Sequence, residues 1–184
     1  MNAIADEPQR LNLLLITNDI DREMALLEAL QESRTRCRLL SIPRGKDTIR
    51  YLERKGRFER APKHDLVFFD PHQAGAEAMN LLRKIKKRQS LNTLPVVVLV
   101  DDETRPLLEN VPSGSARSPG FAPVDLKDFL ASMNNAPPAR FLRAVCLLEQ
   151  YGYILVRQTV NERSEEPPLV ESGRFMQAAG ADAS

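Results

Sequence analysis

Asp70 closes the apolar run Leu66-Val67-Phe68-Phe69 and is followed directly by Pro71. A continuously apolar run of this length reads as a strand covered on both faces. Asp70 then stands at the carboxyl end of that strand, the edge where open parallel sheets bind ligands. The plainer alternative is that an acid and a proline simply end the strand. His64 and His72 flank the run, and His72 follows Asp70 by two residues. A metal or acid–base pair is one reading of His72. Two ligands without a third argue little for a metal, and a loop histidine is the simpler account.

Other chemical signatures are absent from the sequence. Ser113-Gly114-Ser115 has too few glycines, and no following lysine, for a phosphate loop. No Gly-x-Gly-x-x-Gly follows the first apolar run, and no nucleophile elbow or Cys/His pair is present. Cys37 and Cys146 lack metal-ligand spacing and read as reduced, packed thiols. No helix-turn-helix pattern follows, so a DNA-binding output domain is not expected.

The elements that must position these residues follow from composition and pattern. The 184 residues suit one domain plus extra segments, and 42% hydrophobic with 28% charged content suits a globular core. No apolar run approaches the roughly 20 residues of a membrane helix. The start, MNAIADEPQR, lacks the features of a signal peptide. A cytoplasmic location is the expectation. A net charge of +1 gives no global case for nucleic acid. Charge is uneven, however: eleven Lys and Arg lie between Arg34 and Lys63, against Asp47, Glu53 and Glu59. A solvated face is the usual meaning of such a run, and an acidic partner or phosphate-rich ligand the other.

Strands are expected at Leu11–Ile16, Cys37–Ile42, Asp65–Asp70 and Pro95–Val100, the last β-branched and bounded by proline and acids. Between them the spacing predicts helices over 21–30, with Met24, Leu27, Leu30 and Leu26 inward, over 46–55, and over 75–88, with Met79, Leu82 and Ile85 inward. The alternation means a doubly wound parallel α/β sheet. It weakens over 101–123, where four prolines occur and Gly120-Phe121-Ala122 reads as a vestigial last strand. Asp125 is expected to cap a helix through Met133 that buries Leu126, Phe129 and Leu130. A further helix is expected over 138–151, with Phe141, Val145 and Leu148 on one face and Leu142 and Cys146 near it. Tyr153–Val156 either continues it or forms a strand. The organisation expected is a tail over 1–10, a domain over 11–133, a helical extension over 134–160 and a disordered tail over 161–184.

With these elements in place, the chain resembles the receiver domain of response regulators, and most of all the single-domain receivers that partner bacterial phytochrome kinases. The resemblance covers about residues 11–100. It rests on Tyr51-Leu52-Glu53-Arg54-Lys55-Gly56-Arg57-Phe58, Ala61-Pro62-Lys63-His64-Asp65-Leu66, Phe69-Asp70 and Leu94-Pro95-Val96-Val97-Val98-Leu99. It implies a five-stranded, flavodoxin-like parallel sheet with Asp70 at the phosphoacceptor position. In such domains this carboxylate is the nucleophile toward a phosphoryl group, and Mg²⁺ held by carboxylates neutralises the oxygens.

The chain departs from that pattern at four positions. An acidic pair is expected after the first strand, and Thr17 and Asn18 stand there, with Asp19 one residue further on. A switch hydroxyl is expected where Val100 stands, and a lysine where Ala122 stands. Asp101 and Asp102 add negative charge at the same edge, which opposes a dianionic phosphoryl group. A phosphoaspartate needs compensation for about two negative charges, and most of that compensation is gone. The resemblance therefore implies a degenerate receiver, not an enzyme, that acts by protein–protein interaction without a cofactor. Its partners would be a histidine kinase or another signalling protein, and a second copy of the chain through the 138–151 helix. That helix capping an exposed sheet face is the other account of it. The first rival is a working phosphoacceptor, with Asp19 and Asp70 holding Mg²⁺. The second is a small α/β enzyme or ligand-binding module that uses the same strand-end crevice.

Overall fold

The computed structural model describes residues 10–106, 123–150 and 153–158. Its strands are β1 (Leu11–Ile16), β2 (Cys37–Ile42), β3 (Leu66–Phe69), β4 (Val96–Val100), β5 (Val124–Asp125) and β6 (Ile154–Arg157). They form one sheet in the order β2-β1-β3-β4-β6-β5, and every pairing is parallel. The helices are α1 (Ile20–Glu32), α2 (Thr48–Leu52), α3 (Gly75–Lys86), α4 (Leu126–Asn134) and α5 (Pro138–Glu149). This is the doubly wound α/β architecture of receiver and flavodoxin-like folds, with six strands where five were expected.

Period-two alternation divides the core cleanly. Leu13, Leu15, Leu66, Phe68, Val97, Leu99, Ile154 and Val156 face one layer, where α1, α4 and α5 supply Leu26, Leu30, Phe129, Leu130, Phe141 and Val145. Leu14, Ile16, Val67, Phe69, Val96, Val98, Val100 and Leu155 face the other, where α2 and α3 supply Leu52, Met79, Leu82 and Ile85. β3 and β4 are apolar at every position because both faces are covered.

Two helical stripes differ from the periodicity. On α1 the buried residues are Arg22, Leu26 and Leu30, whereas Met24 is 48% exposed. The apolar letters 24, 27 and 30 fit helical spacing, but the buried face runs 22–26–30, since the sheet edge offers Arg22 ionic partners. On α5, Phe141 and Val145 are buried as expected, and Leu148 is exposed. The basic-run helix shortens to Thr48–Leu52. The cap at Asp125 is present, its Oδ1 accepting from the Lys127 N–H at 2.8 Å.

The larger departure concerns the last strand. Gly120–Ala122 lies outside the described residues, as does the tail over 161–184. The neighbour of β4 is instead β6, with Val97 opposite Ile154 and Val100 opposite Arg157. The two-residue β5 pairs on the far side of β6. Residues set apart in the sequence as a helical extension thus contribute a strand between two others and a helix to the main core. Glu149, at the end of α5, fixes this arrangement from below: its Oε1 accepts from Lys86 Nζ at 2.7 Å and from the Val96 N–H at 2.9 Å.

Because β6 is hydrogen-bonded on both sides, its amides should open only with the body of the sheet. Hydrogen exchange is expected to show Leu155 and Val156 protected to the same degree as β4. Exchange at the rate of an unstructured peptide would contradict the strand order.

Candidate functional site

Parallel pairing brings the ends of β1 and β3 side by side, and the Asp70 N–H donates to the Ile16 carbonyl at 3.0 Å. Thr17 and Asp70 therefore emerge together. Asp70 is fully buried, at 0% exposure. A carboxylate taken out of water must be met by hydrogen bonds or charge. Three groups meet it. The Thr17 hydroxyl donates to Oδ2 at 2.7 Å, and the His72 N–H donates to Oδ1 at 2.9 Å. The Arg44 guanidinium lies 3.9 Å from Oδ2.

Arg44 enters from the turn after β2 and is buried along its side chain. Its Nη1 donates to the Asp70 carbonyl oxygen, and its Nη2 donates to the His72 carbonyl at 2.7 Å. Its own N–H donates to Asn18 Oδ1 at 2.8 Å. Burial pulls its pKa down, and the charges of Asp70, Asp19 and Glu77 act in the opposite sense. In the sequence Arg44 is one of eleven cations read as a solvated run, and for this residue that reading is wrong. The one available signal was its place beside Pro43 and Gly45 at the end of a strand, on the same sheet edge as Asp70.

A second cluster joins the first through His72. Arg22 is buried on α1 and pairs with Asp101. Arg22 Nη2 is 3.1 Å from His72 Nδ1. That nitrogen also lies 3.3 Å from Asp101 Oδ2, and Nε2 faces Asp19 Oδ2 at 3.7 Å. His72 is thus more than a loop histidine: its backbone holds Asp70 and Arg44, and its ring lies among Arg22, Asp19 and Asp101. Gln158, just past β6, ties this cluster to the sheet. Its N–H donates to the Val100 carbonyl at 3.0 Å and its Nε2 to the Arg22 carbonyl at 2.9 Å.

The other expected site positions are as follows. Asp19 caps α1, with Oδ1 accepting from the N–H groups of Asp21 and Arg22 at 2.9 and 3.3 Å. Val100 is buried in the layer beneath α3 and brings no hydroxyl to the edge. Ala122 lies outside the described residues. The Asp101 charge is not left to oppose an incoming anion, because Arg22 answers it. Among the described residues no group of three His, Cys, Asp or Glu could hold a metal ion. Mg²⁺ asks for hard oxygen donors and open coordination positions. Here the neighbours of Asp70 are a hydroxyl, an amide N–H and a guanidinium, so the residues do not fit the ion.

His64 is separate from this edge. Its Nε2 is 3.1 Å from the Tyr51 hydroxyl and its ring stacks on Tyr51 at 5.8 Å. Burial pushes its pKa down, against the raising effect of Asp65.

No protein-family model matches the chain. Over 97 residues it is 26% identical to the response regulator Rcp1 of Synechocystis sp. (strain ATCC 27184 / PCC 6803 / Kazusa), covering 52% of this chain. It spans 66% of that relative's length, just under two thirds. Among solved structures it is similar to the bacteriophytochrome response regulator RtBRR, with 19% identity, 79% of this chain and 98% of that chain covered, and a TM-score of 0.49. It is also similar to the Mn²⁺-bound form of response regulator Rcp1, with 20% identity, coverage of 76% and 92%, and a TM-score of 0.44. The fold itself stands on the order and direction of the strands. No helix among the described residues is long and apolar enough to cross a membrane.

Two outcomes are expected at these positions. Thr17→Val keeps the shape and removes the hydroxyl from a buried carboxylate, which should cost about 1–3 kcal/mol in urea unfolding; a loss inside experimental error would mean that Asp70 does not depend on it. His64 has a lowered folded pKa, so its contribution is present above its ordinary value of about 6.5 and is lost as pH falls from there toward the folded value. His64→Gln should flatten the fall in stability over that window, and an unchanged slope would remove His64 as its source. The parallel sheet with a buried acid at its carboxyl edge is the fold, and over 97 residues the chain is similar to a response regulator.

Proposed function

We propose that this chain is a degenerate response-regulator receiver that acts in signal transduction by protein–protein contact, largely without phosphorylation of Asp70. One observation carries the reading. Asp70 is fully buried, and its carboxylate is held by Thr17, His72 and Arg44. An attacking carboxylate needs a free oxygen aligned with the phosphoryl group, and a set of cations around the transferred oxygens. Here one oxygen accepts from a hydroxyl and the other from an amide N–H, and the nearest cation donates to backbone carbonyls.

The relative Rcp1 is named as a response regulator, and on that basis a histidine kinase is the proposed partner, in the cytoplasm. A second copy of the chain is a further proposed partner. Leu147 and Leu148 on α5 are 52% and 49% exposed, and an unpaired apolar face suits self-association. Leu147→Glu with Leu148→Glu should lower the sedimentation coefficient from that of a dimer to that of a monomer and leave the circular dichroism intact. A wild-type protein that sediments as a monomer would dispose of this partner.

The rival with a specific observation behind it is a working phosphoacceptor, because the acid itself stands at the end of β3. Intact mass after incubation with acetyl phosphate, with and without Mg²⁺ and beside Asp70→Ala, separates the two. No added phosphoryl group is expected on the folded protein. A Mg²⁺-dependent gain of one phosphoryl group, lost in Asp70→Ala, would establish the rival instead.

A further inference from the structure

We propose that Arg44 is the permanent counter-ion of this strand-end site, holding the set of oxygens that a hard divalent cation would otherwise need. The inference rests on the degenerate reading above and adds the reason for it at a named residue. The oxygens are of one kind. Arg44 reaches the Asp70 carboxylate at 3.9 Å, the Asp70 carbonyl and the His72 carbonyl. Carboxylates and backbone carbonyls are the donors that hard cations select. The guanidinium donates to the two carbonyl oxygens, places its charge 3.9 Å from the carboxylate and keeps that charge at any working pH.

The placement is built and not incidental. The side chain is 7% exposed, so the ion pair lies out of reach of solvent screening. The Arg44 backbone is held by Asn18, which stands where the resemblance expects an acid. That single exchange has two effects. It deletes a carboxylate that a metal would use, and it supplies the carbonyl-type oxygen that anchors the arginine. Asp19, the nearest remaining acid, spends Oδ1 on the first turn of α1. Glu77 and Asp19 add negative potential around the guanidinium without contacting it. A divalent ion entering this space would meet a like charge within hydrogen-bond distance of its own ligands, which disfavours it strongly in a buried site.

It follows that the block is reversible by sequence. Removing the guanidinium leaves Asp70, two carbonyls and room for waters, which Mg²⁺ and Mn²⁺ accept as part of their shell. The experiment compares the full chain with Arg44→Ala, using Mn²⁺ binding by electron paramagnetic resonance and the thermal midpoint in Mg²⁺ against NaCl of equal ionic strength. The wild type should bind no Mn²⁺ and show no specific response to Mg²⁺. Arg44→Ala should show Mn²⁺ binding at least about tenfold above the wild-type background, as loss of a buried like charge requires, and its midpoint should rise with Mg²⁺. Adding Asp70→Asn should abolish both effects.

A folded Arg44→Ala that ignores both ions would overturn the inference and leave the degenerate reading standing. A wild type that binds Mn²⁺ would overturn both. Should Arg44→Ala fail to fold with or without Mg²⁺, nitrogen-15 spectra of the wild-type arginine side chains decide. A locked guanidinium gives separate, slowly exchanging Nη signals for Arg44 that Mg²⁺ does not move. Averaged signals, or signals displaced by Mg²⁺, would defeat the inference.

Discussion

The arrangement of this sheet edge follows from a carboxylate fully shielded from bulk solvent. Asp70 is carried there by β3, whose preceding four residues are all core. Once the strand is placed, the acid has no route to solvent, and the chain must bring partners to it. Thr17 comes from the neighbouring strand, the His72 N–H from the turn that follows, and Arg44 from the turn after β2. Each partner is fixed by a further contact: Arg44 by Asn18 and His72, and the His72 ring by Arg22 and Asp19. The edge is a network in which most members are satisfied, and such networks are stiff because removing any member strands the others.

Stiffness at this edge is supported from outside it by β6. The strand next to β4 has to be covered on both faces, and Leu155 and Val156 meet that need, one in each core layer. Its exit places Gln158 against the carbonyls of Val100 and Arg22. The C-terminal part of the described chain therefore closes the same edge that Asp70 occupies. A sheet whose last strand arrives after two helices, and then ties α1 to β4, has fewer independent parts to move.

Much of this was legible in the sequence, for definable reasons. β3 and β4 are apolar at every position and β1 at all but Asn12, and the α3 stripe Met79, Leu82 and Ile85 has one inward solution. Asp70 was legible because an acid directly after Phe69 breaks a pattern. What could not be read was pairing between elements distant in sequence. Arg44 and Arg22 are cations within polar stretches, and nothing local marks them as buried; only the sheet order brings Arg44 within reach of a residue 26 positions away. Arg22 also displaced Met24 from the inward face, because a stripe drawn from hydrophobicity alone has no place for an ion pair. Tyr153–Val156 was ambiguous for the ordinary reason that a short apolar run has no distinguishing period, and what settles it as a strand is the open flank of β4.

A switch needs two states whose balance a ligand can move, and the ligand must bind one state better than the other. A diffusible metal and a transferable phosphoryl group meet that condition because each can leave. A guanidinium joined to the backbone cannot. If Arg44 supplies the positive charge at Asp70, that charge is present in the resting protein, and the edge has one favoured state. On the proposed reading, regulation would come from what the surface meets and not from chemistry at the carboxylate. On the degenerate reading proposed above, the acid keeps a structural role as the anchor of Arg44 and Thr17.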